Sequence, residues 1–289
     1  MPEPPAPDDA LRAALHGVRA VILDADGVLV LKGRPIPGAE GALRRLASAG
    51  IPFRIVTNYS SSHRETLAAR FGTGGLAVDP ASIITGASAA AAYTAAAHPG
   101  RPLFVLAAPD AAREFAGQRL LAPPEADAPG AGVAAVVIGD AGDDLSFANL
   151  DIAFRLVRGG AELLAMHRNP WWLTSRGVTL DAGAVVAGLE WALGRRARIL
   201  GKPSPVVFRQ AAAGLAADLG LRRLPASAIA MVGDDLRADL APAHRLGMRT
   251  ALVLTGKLAA GGVGEAVARA RFAPDAVAPS VAEVVAALG

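Results

Sequence analysis

Residues 18–29 read Val18-Arg19-Ala20-Val21-Ile22-Leu23-Asp24-Ala25-Asp26-Gly27-Val28-Leu29. A short, mostly apolar run stops at two carboxylates two residues apart, and a glycine follows. A run of this length bounded by turn residues predicts a strand buried on both faces, as in a parallel sheet. Asp24 then stands at the carboxyl end of the strand, where ligand crevices open in α/β sheets, and the turn brings Asp26 round to the same pocket. One carboxylate can attack while the other handles protons. Taken alone, Asp24-Ala25-Asp26-Gly27 reads equally well as a solvated turn, because Asp and Gly are ordinary turn residues.

The pattern repeats outward from this stretch. Pro37–Ala49 has helical spacing and ends at Gly50, Ile51–Val56 is another apolar run, and Ser62–Phe71 is helical again. Late in the chain Pro205–Leu219 predicts a helix, Ala228–Val232 a strand, Leu236–Leu246 a helix, Thr250–Leu254 a strand and Val281–Leu288 a closing helix. This alternation predicts an α/β fold with a doubly wound, Rossmann-like parallel sheet. Between the two halves lie apolar runs at 103–107, 133–138 and 163–165 and helical stretches at 109–116 and 145–157, interrupted by His98–Pro102 and the Pro/Gly-rich 122–132. These predict an inserted α/β cap domain at 89–188, a core of 16–88 and 189–289, and a mobile Pro-rich tail over 1–15.

The length of 289 residues suits two domains, and 52% hydrophobic with 19% charged residues means a globular chain. The isoelectric point is near 9.8, yet the net charge is only +3 and the Arg residues are scattered. No nucleic-acid partner is implied. The chain has no cysteine, which excludes disulfides and thiolate chemistry. Neither a signal peptide nor an apolar run long enough for a membrane span is present, so a soluble, cytoplasmic protein is expected.

Three further segments carry chemistry. Thr57 and Asn58 follow the second strand; Thr57 with nearby N–H groups suits a phosphoryl anion, whereas Ser61 and Ser62 read as caps of the next helix. Lys202, in Gly201-Lys202-Pro203-Ser204-Pro205, stands at a strand end before a helix, where an ammonium can neutralise phosphate and nucleophile together. In Gly233-Asp234-Asp235-Leu236-Arg237-Ala238-Asp239 a strand again ends in acids. Asp24, Asp26 and Asp234 are hard oxygen ligands suited to Mg²⁺, with Asp235 and Asp239 as support. Helix capping is an equal reading for Asp235.

These four segments, in this order, resemble the four signature motifs of the haloacid dehalogenase-like hydrolases, and insertion between the second and third resembles subfamily IIA. That group includes nitrophenyl, phosphoglycolate and pyridoxal phosphate phosphatases and the phospholysine/phosphohistidine/inorganic pyrophosphate phosphatase branch. About 140 residues separate Asn58 from Lys202, far more than a crossover needs. The resemblance implies a Mg²⁺-dependent phosphatase of small phosphorylated metabolites, in which Asp24 forms an aspartyl phosphate and Asp26 protonates the leaving group and then activates water. It further implies that Thr57, Asn58 and Lys202 bind the phosphoryl group, that Asp24, the Asp26 carbonyl and Asp234 hold the metal, and that the chain pairs as a homodimer. Tyr59-Ser60-Ser61 departs from the pattern of the pyrophosphatase branch. In the cap, His167, Arg168 and Asn169 are candidates to touch substrate, with Trp171 and Trp172 either beside them or packing the cap. Trp191 reads as core, and Asp140, Asp143 and Asp144 as a loop and helix start. The alternative is a phospho-acceptor signalling module without turnover, which would need neither the insert nor a second acid after the acceptor. A dinucleotide fold is disfavoured because the first turn lacks G-x-G-x-x-G.

Overall fold

The computed structural model, which describes residues 7–174 and 177–288, turns the apolar run before Asp24 into strand β1 (Ala20–Leu23), every residue of it buried. The other strands used below are β2 (Phe53–Val56), β3 (Ile83–Ile84), β4 (Leu103–Leu106), β5 (Ala135–Ile138), β6 (Glu162–Ala165), β7 (Arg198–Ile199), β8 (Ile229–Gly233), β9 (Arg249–Val253) and β10 (Ala276–Ala278). The chain divides into two compact units. The first takes in the residues up to Thr57, Ala68–Ile84 and everything from Val207 onward; the second comprises Asn58–Leu67 and Thr85–Val206. The second unit is wider than the insert expected at 89–188, because it includes β7 and Lys202.

In the first unit six strands form one sheet in the order β10-β9-β8-β1-β2-β3, every pair parallel. β1 lies at its centre, and the chain leaves it towards β2 on one side and returns at β8 on the other. That reversal is the topological switch point at which α/β sheets open a crevice beyond their carboxyl ends. Helix Ala39–Ser48 buries Ala39, Ala42, Leu43 and Leu46, the three-and-four spacing of one apolar stripe. It packs on helix Val281–Ala286, which buries Val281, Val284 and Val285.

Four parallel strands in the order β7-β6-β5-β4 make the sheet of the second unit. Phe104, Val136, Ile138 and Leu163 from this sheet share a core with Ala153 and Val157 of helix Phe147–Arg158 and Val186 and Leu189 of helix Ala182–Leu193. An antiparallel hairpin, Trp171–Thr174 with Gly177–Leu180, stands apart from this sheet. Among the described residues no helix is long and apolar enough to cross a membrane.

Several expectations are corrected. Residues Pro7–Ala14, assigned to a mobile tail, form a helix with Leu11 buried. Trp191 is 88% exposed rather than core; it lies two residues beyond Leu189, about 200° round the helix from the buried stripe. The helix expected over 236–246 is a five-residue π-turn, Leu236–Leu240, leading into the short helix Ala241–Arg245, with Pro242 in its first turn. Nor do Ser61 and Ser62 cap the helix after β2, which begins at Arg64. His63 Nδ1 accepts the Glu65 N–H at 3.2 Å, and Glu114 accepts the Arg64 N–H at 2.8 Å. By contrast Asp143 and Asp144, read as a loop and helix start, do lie in a 3₁₀ turn, Gly142–Asp144, just before the helix that Ser146 caps.

Candidate active site

Asp24 leaves β1 and Asp234 leaves β8, adjacent parallel strands paired Leu23 to Val232. Both carboxylates therefore emerge at the same edge of the sheet. The Asp24 N–H continues the ladder to the Val232 carbonyl at 2.9 Å, and the Ala25 N–H donates to Asp24 Oδ1 at 2.6 Å, fixing the plane of the carboxylate. Asp239 arrives from the π-turn, a rare element that recurs at functional sites. Oxygens of Asp24, Asp234 and Asp239 lie within 4.8 Å of one another, all three residues buried and Asp239 wholly so. Thr57 leaves β2 on the other side of β1; its N–H bonds the Ile84 carbonyl at 3.0 Å and its side chain is buried. Asp26, two residues after Asp24, is exposed.

Three buried carboxylates this close repel one another strongly, since burial reduces dielectric screening. Their hard oxygens suit a small divalent cation, so the residues present fit Mg²⁺. The backbone around them is cut to the same purpose. Gly27 has φ +82°, and a Cβ there would fall 2.3 Å from Asp234 Oδ2; a Cβ on Gly256 would fall 2.0 Å from the same atom. Only glycine lets both segments close on that carboxylate. Asp239, expected only as support, belongs to the cluster itself, whereas Asp235 does not. Asp235 caps the π-turn, accepting the Arg237 and Ala238 N–H groups, and pairs with Lys257 Nζ at 2.7 Å. Burial works against its ionisation, yet the Lys257 ammonium and these N–H groups hold its carboxyl below the usual range.

The loop after β9 was not foreseen. Thr255 Oγ1 donates to the Gly27 carbonyl at 2.6 Å and the Lys257 N–H donates to Asp234 Oδ2 at 2.9 Å. A glycine just past a strand end, here in Thr255-Gly256-Lys257, is the signal that could have found it, as it marked the acidic turns.

Within the second unit Lys202 is 4% exposed, unusual for a lysine, and Asn58 Nδ2 donates to its carbonyl at 2.9 Å. Asn58 Oδ1 is buried and accepts no hydrogen bond from the described residues. Beyond β6, His167 is buried against Ser60. Arg168 pairs with the buried Glu190 at 2.5 Å, and Asn169 is half-buried. Trp171 and Trp172, next along, are exposed at 58% and 38%.

The chain resembles known proteins over most of its length. Residues 21–120 match the haloacid dehalogenase-like hydrolase family, and residues 199–284 a second family described as HAD-hydrolase-like. Human chronophin is 38% identical over 260 residues, spanning 86% of this chain and 84% of chronophin. The human haloacid dehalogenase-like hydrolase domain-containing protein 2 is 32% identical over 248 residues, 85% of this chain and 87% of that protein. Among solved structures, p-nitrophenyl phosphatase from Archaeoglobus fulgidus superposes with a TM-score of 0.83 at 27% identity, covering 94% of this chain and 99% of that one. NagD from E. coli K-12 gives 0.77 at 28% identity, covering 92% and 98%.

Proposed function

We propose, from the premise that this chain belongs to the haloacid dehalogenase-like hydrolases of subfamily IIA and is a phosphatase, that it hydrolyses small phosphorylated metabolites with Mg²⁺ through a phosphoryl group carried on Asp24. The observation that carries this reading is the convergence of Asp24, Asp234 and Asp239 within 4.8 Å, all buried.

A carboxylate oxygen of Asp24 attacks phosphorus in line, and the bond from phosphorus to the leaving oxygen breaks as Asp26 protonates that oxygen. Asp26 is exposed and is open to a leaving group on entry and to water afterwards. As a carboxylate again, it takes a proton from water, whose oxygen attacks the phosphoryl group and frees both phosphate and Asp24. Thr57, Asn58 and Lys202 hold the phosphoryl oxygens, the lysine neutralising charge that builds in the transition state. Asp24, the Asp26 carbonyl and Asp234 would hold Mg²⁺, with Asp239 inside the same cluster and Asp235 supporting it from the π-turn. When bound, the cation would neutralise the carboxylates and polarise the phosphoryl group. Substrate choice falls to His167, Arg168 and Asn169.

Purified protein with Mg²⁺ is expected to hydrolyse p-nitrophenyl phosphate. Asp24→Asn is expected to abolish nearly all turnover while the protein stays folded, and Asp26→Asn to be severely impaired. Wild-type rates in Asp24→Asn would refute the assignment. A panel of phosphorylated metabolites, with pyrophosphate and phosphoramidates included, identifies the substrate.

A further inference from the structure

We propose that His167 is a positioning residue: through Ser60 it closes a ring of hydrogen bonds that fixes Asn58 and Lys202 for phosphoryl binding. This deepens the reading above and rests on the phosphoryl role given there to Asn58 and Lys202.

Every link of the ring lies within the second unit. Ser60 Oγ is 2.8 Å from His167 Nε2, and both residues are buried. The Asn169 N–H points at His167 Nδ1 at 3.3 Å, so that nitrogen is the acceptor and the neutral ring carries its proton on Nε2. His167 therefore donates to Ser60, and the Ser60 oxygen is fixed as the acceptor. Asp181 Oδ1 lies 3.7 Å from Nε2, which favours a proton on that nitrogen. Burial holds the imidazole pKa below its usual range and keeps the ring neutral, with Asp181 and Asp140 pulling partly the other way.

From His167 the ring continues along the backbone. Its neighbour Met166 accepts the Gly201 N–H at 2.9 Å. Gly201 cannot carry a side chain here, because a Cβ would fall 2.4 Å from the Met166 carbonyl oxygen and 2.7 Å from Asn58 Oδ1. The next residue is Lys202, whose carbonyl accepts from Asn58 Nδ2 at 2.9 Å, and Asn58 is two residues before Ser60. Asn58 and Lys202, 144 residues apart, are thus held in one register by the end of β6. Without the bond from His167, segment 58–60 would keep only one of its two ties to this ring. Beside its place among the substrate-choosing residues, His167 thereby acts through the residues that hold phosphate.

The test is inhibition of p-nitrophenyl phosphate hydrolysis by inorganic phosphate, using the full chain with Mg²⁺. Ser60→Ala, which removes one oxygen and keeps the fold, and His167→Ala are each expected to raise the Ki of phosphate and KM about tenfold, the loss of one well-placed hydrogen bond. The double variant is expected to be no worse than the worse single, because both break the same link. His167→Gln, whose amide donates from the place of Nε2, is expected to recover most of the affinity. Unchanged phosphate inhibition in Ser60→Ala, additive losses, or a His167→Gln as weak as His167→Ala would overturn the proposal. Lys202→Met separates the two levels. If it leaves phosphate inhibition intact, the phosphoryl role of Lys202 falls and this proposal with it. If it weakens inhibition while Ser60→Ala does not, only the positioning role falls.

Discussion

At the scale of the residue, Asp239 illustrates how a side chain gains a role from its neighbours. Its Oδ2 accepts the Asp235 N–H at 3.3 Å, and it shares the cluster with Asp24 and Asp234. Three carboxylates at this spacing repel one another, and a bound cation would offset that repulsion. Asp239→Asn is therefore expected to raise the thermal midpoint in EDTA and to shrink the stabilisation that Mg²⁺ confers, which for a site at 100 times its Kd is about 2.7 kcal/mol. Differential scanning calorimetry with and without Mg²⁺ reads both changes; a variant that lost stability in EDTA would contradict the repulsion argument. Asp110 is a contrasting carboxylate. Its bond from Arg113, with the His63 N–H and the Thr66 hydroxyl, brings its pKa down from 3.8 to about 2. A folded-state pKa below the unfolded one adds stability that is complete above pH 3.8 and is lost as pH falls through about 2. Asp110→Asn is expected to flatten the pH dependence of unfolding in that window and to leave its shape at neutral pH unchanged, as followed by circular dichroism.

At the scale of the element, the loop after β9 controls the acidic site through its backbone. Gly256 lies so near Asp234 Oδ2 that Gly256→Ala must push the carboxylate or the loop aside. Misplacement of a reacting group by about 1 Å can cost about 10²-fold in rate, and a loss of that order in kcat is expected, with stability lowered by about 1–3 kcal/mol. Wild-type kcat in Gly256→Ala would mean that the loop yields freely. Lys257 contributes differently, because its side chain is 64% exposed. Burial works against its charge, but Asp235, Asp234 and Asp239 raise its pKa above 10.5. That contribution is present at neutral pH and lost only as pH rises through the raised value. Lys257→Ala is expected to cost no more than about 1 kcal/mol at pH 7, a difference that narrows as pH falls below 3.8, where Asp235 begins to take up its proton. Chemical denaturation at several pH values checks this.

Across the whole molecule, the first unit is assembled from chain segments on either side of a long insertion, so its cohesion depends on contacts of very high sequence separation. Arg54 on β2 donates to both oxygens of Asp218, which ends helix Pro205–Asp218, at 2.5 and 3.0 Å across 164 residues. Arg54 is mostly buried but Asp218 is 39% exposed, so solvent screening holds the pair to about 1 kcal/mol. Arg54→Ala is expected to lose about that much in urea unfolding, and Asp218→Ala is expected to couple to it in a double-mutant cycle; additive effects would deny the pair its role. Such long-range pairs mark the division between what could be read early and what could not. The sequence by itself determined the parallel α/β core and the acidic turns at Asp24 and Asp234, because a buried strand is a local apolar run and its carboxyl end is marked by the residues that stop it. It left Asp235 balanced between capping and the site, took Trp191 for core, read Ser60 only as part of a departure from the pyrophosphatase branch, and gave no account of Asp181 or the Thr255-Gly256-Lys257 loop. The helix Gly86–Ala97 was also missed, since its consecutive buried small residues from Gly86 to Ala91 leave no period to detect. Only the tertiary structure decided that Asp239 joins Asp24 and Asp234, that Asp235 turns to Lys257, and that His167 closes on Ser60. The physical reason is that burial and hydrogen-bond partnership are properties of packed segments, and no spacing along the chain records which distant segments will pack.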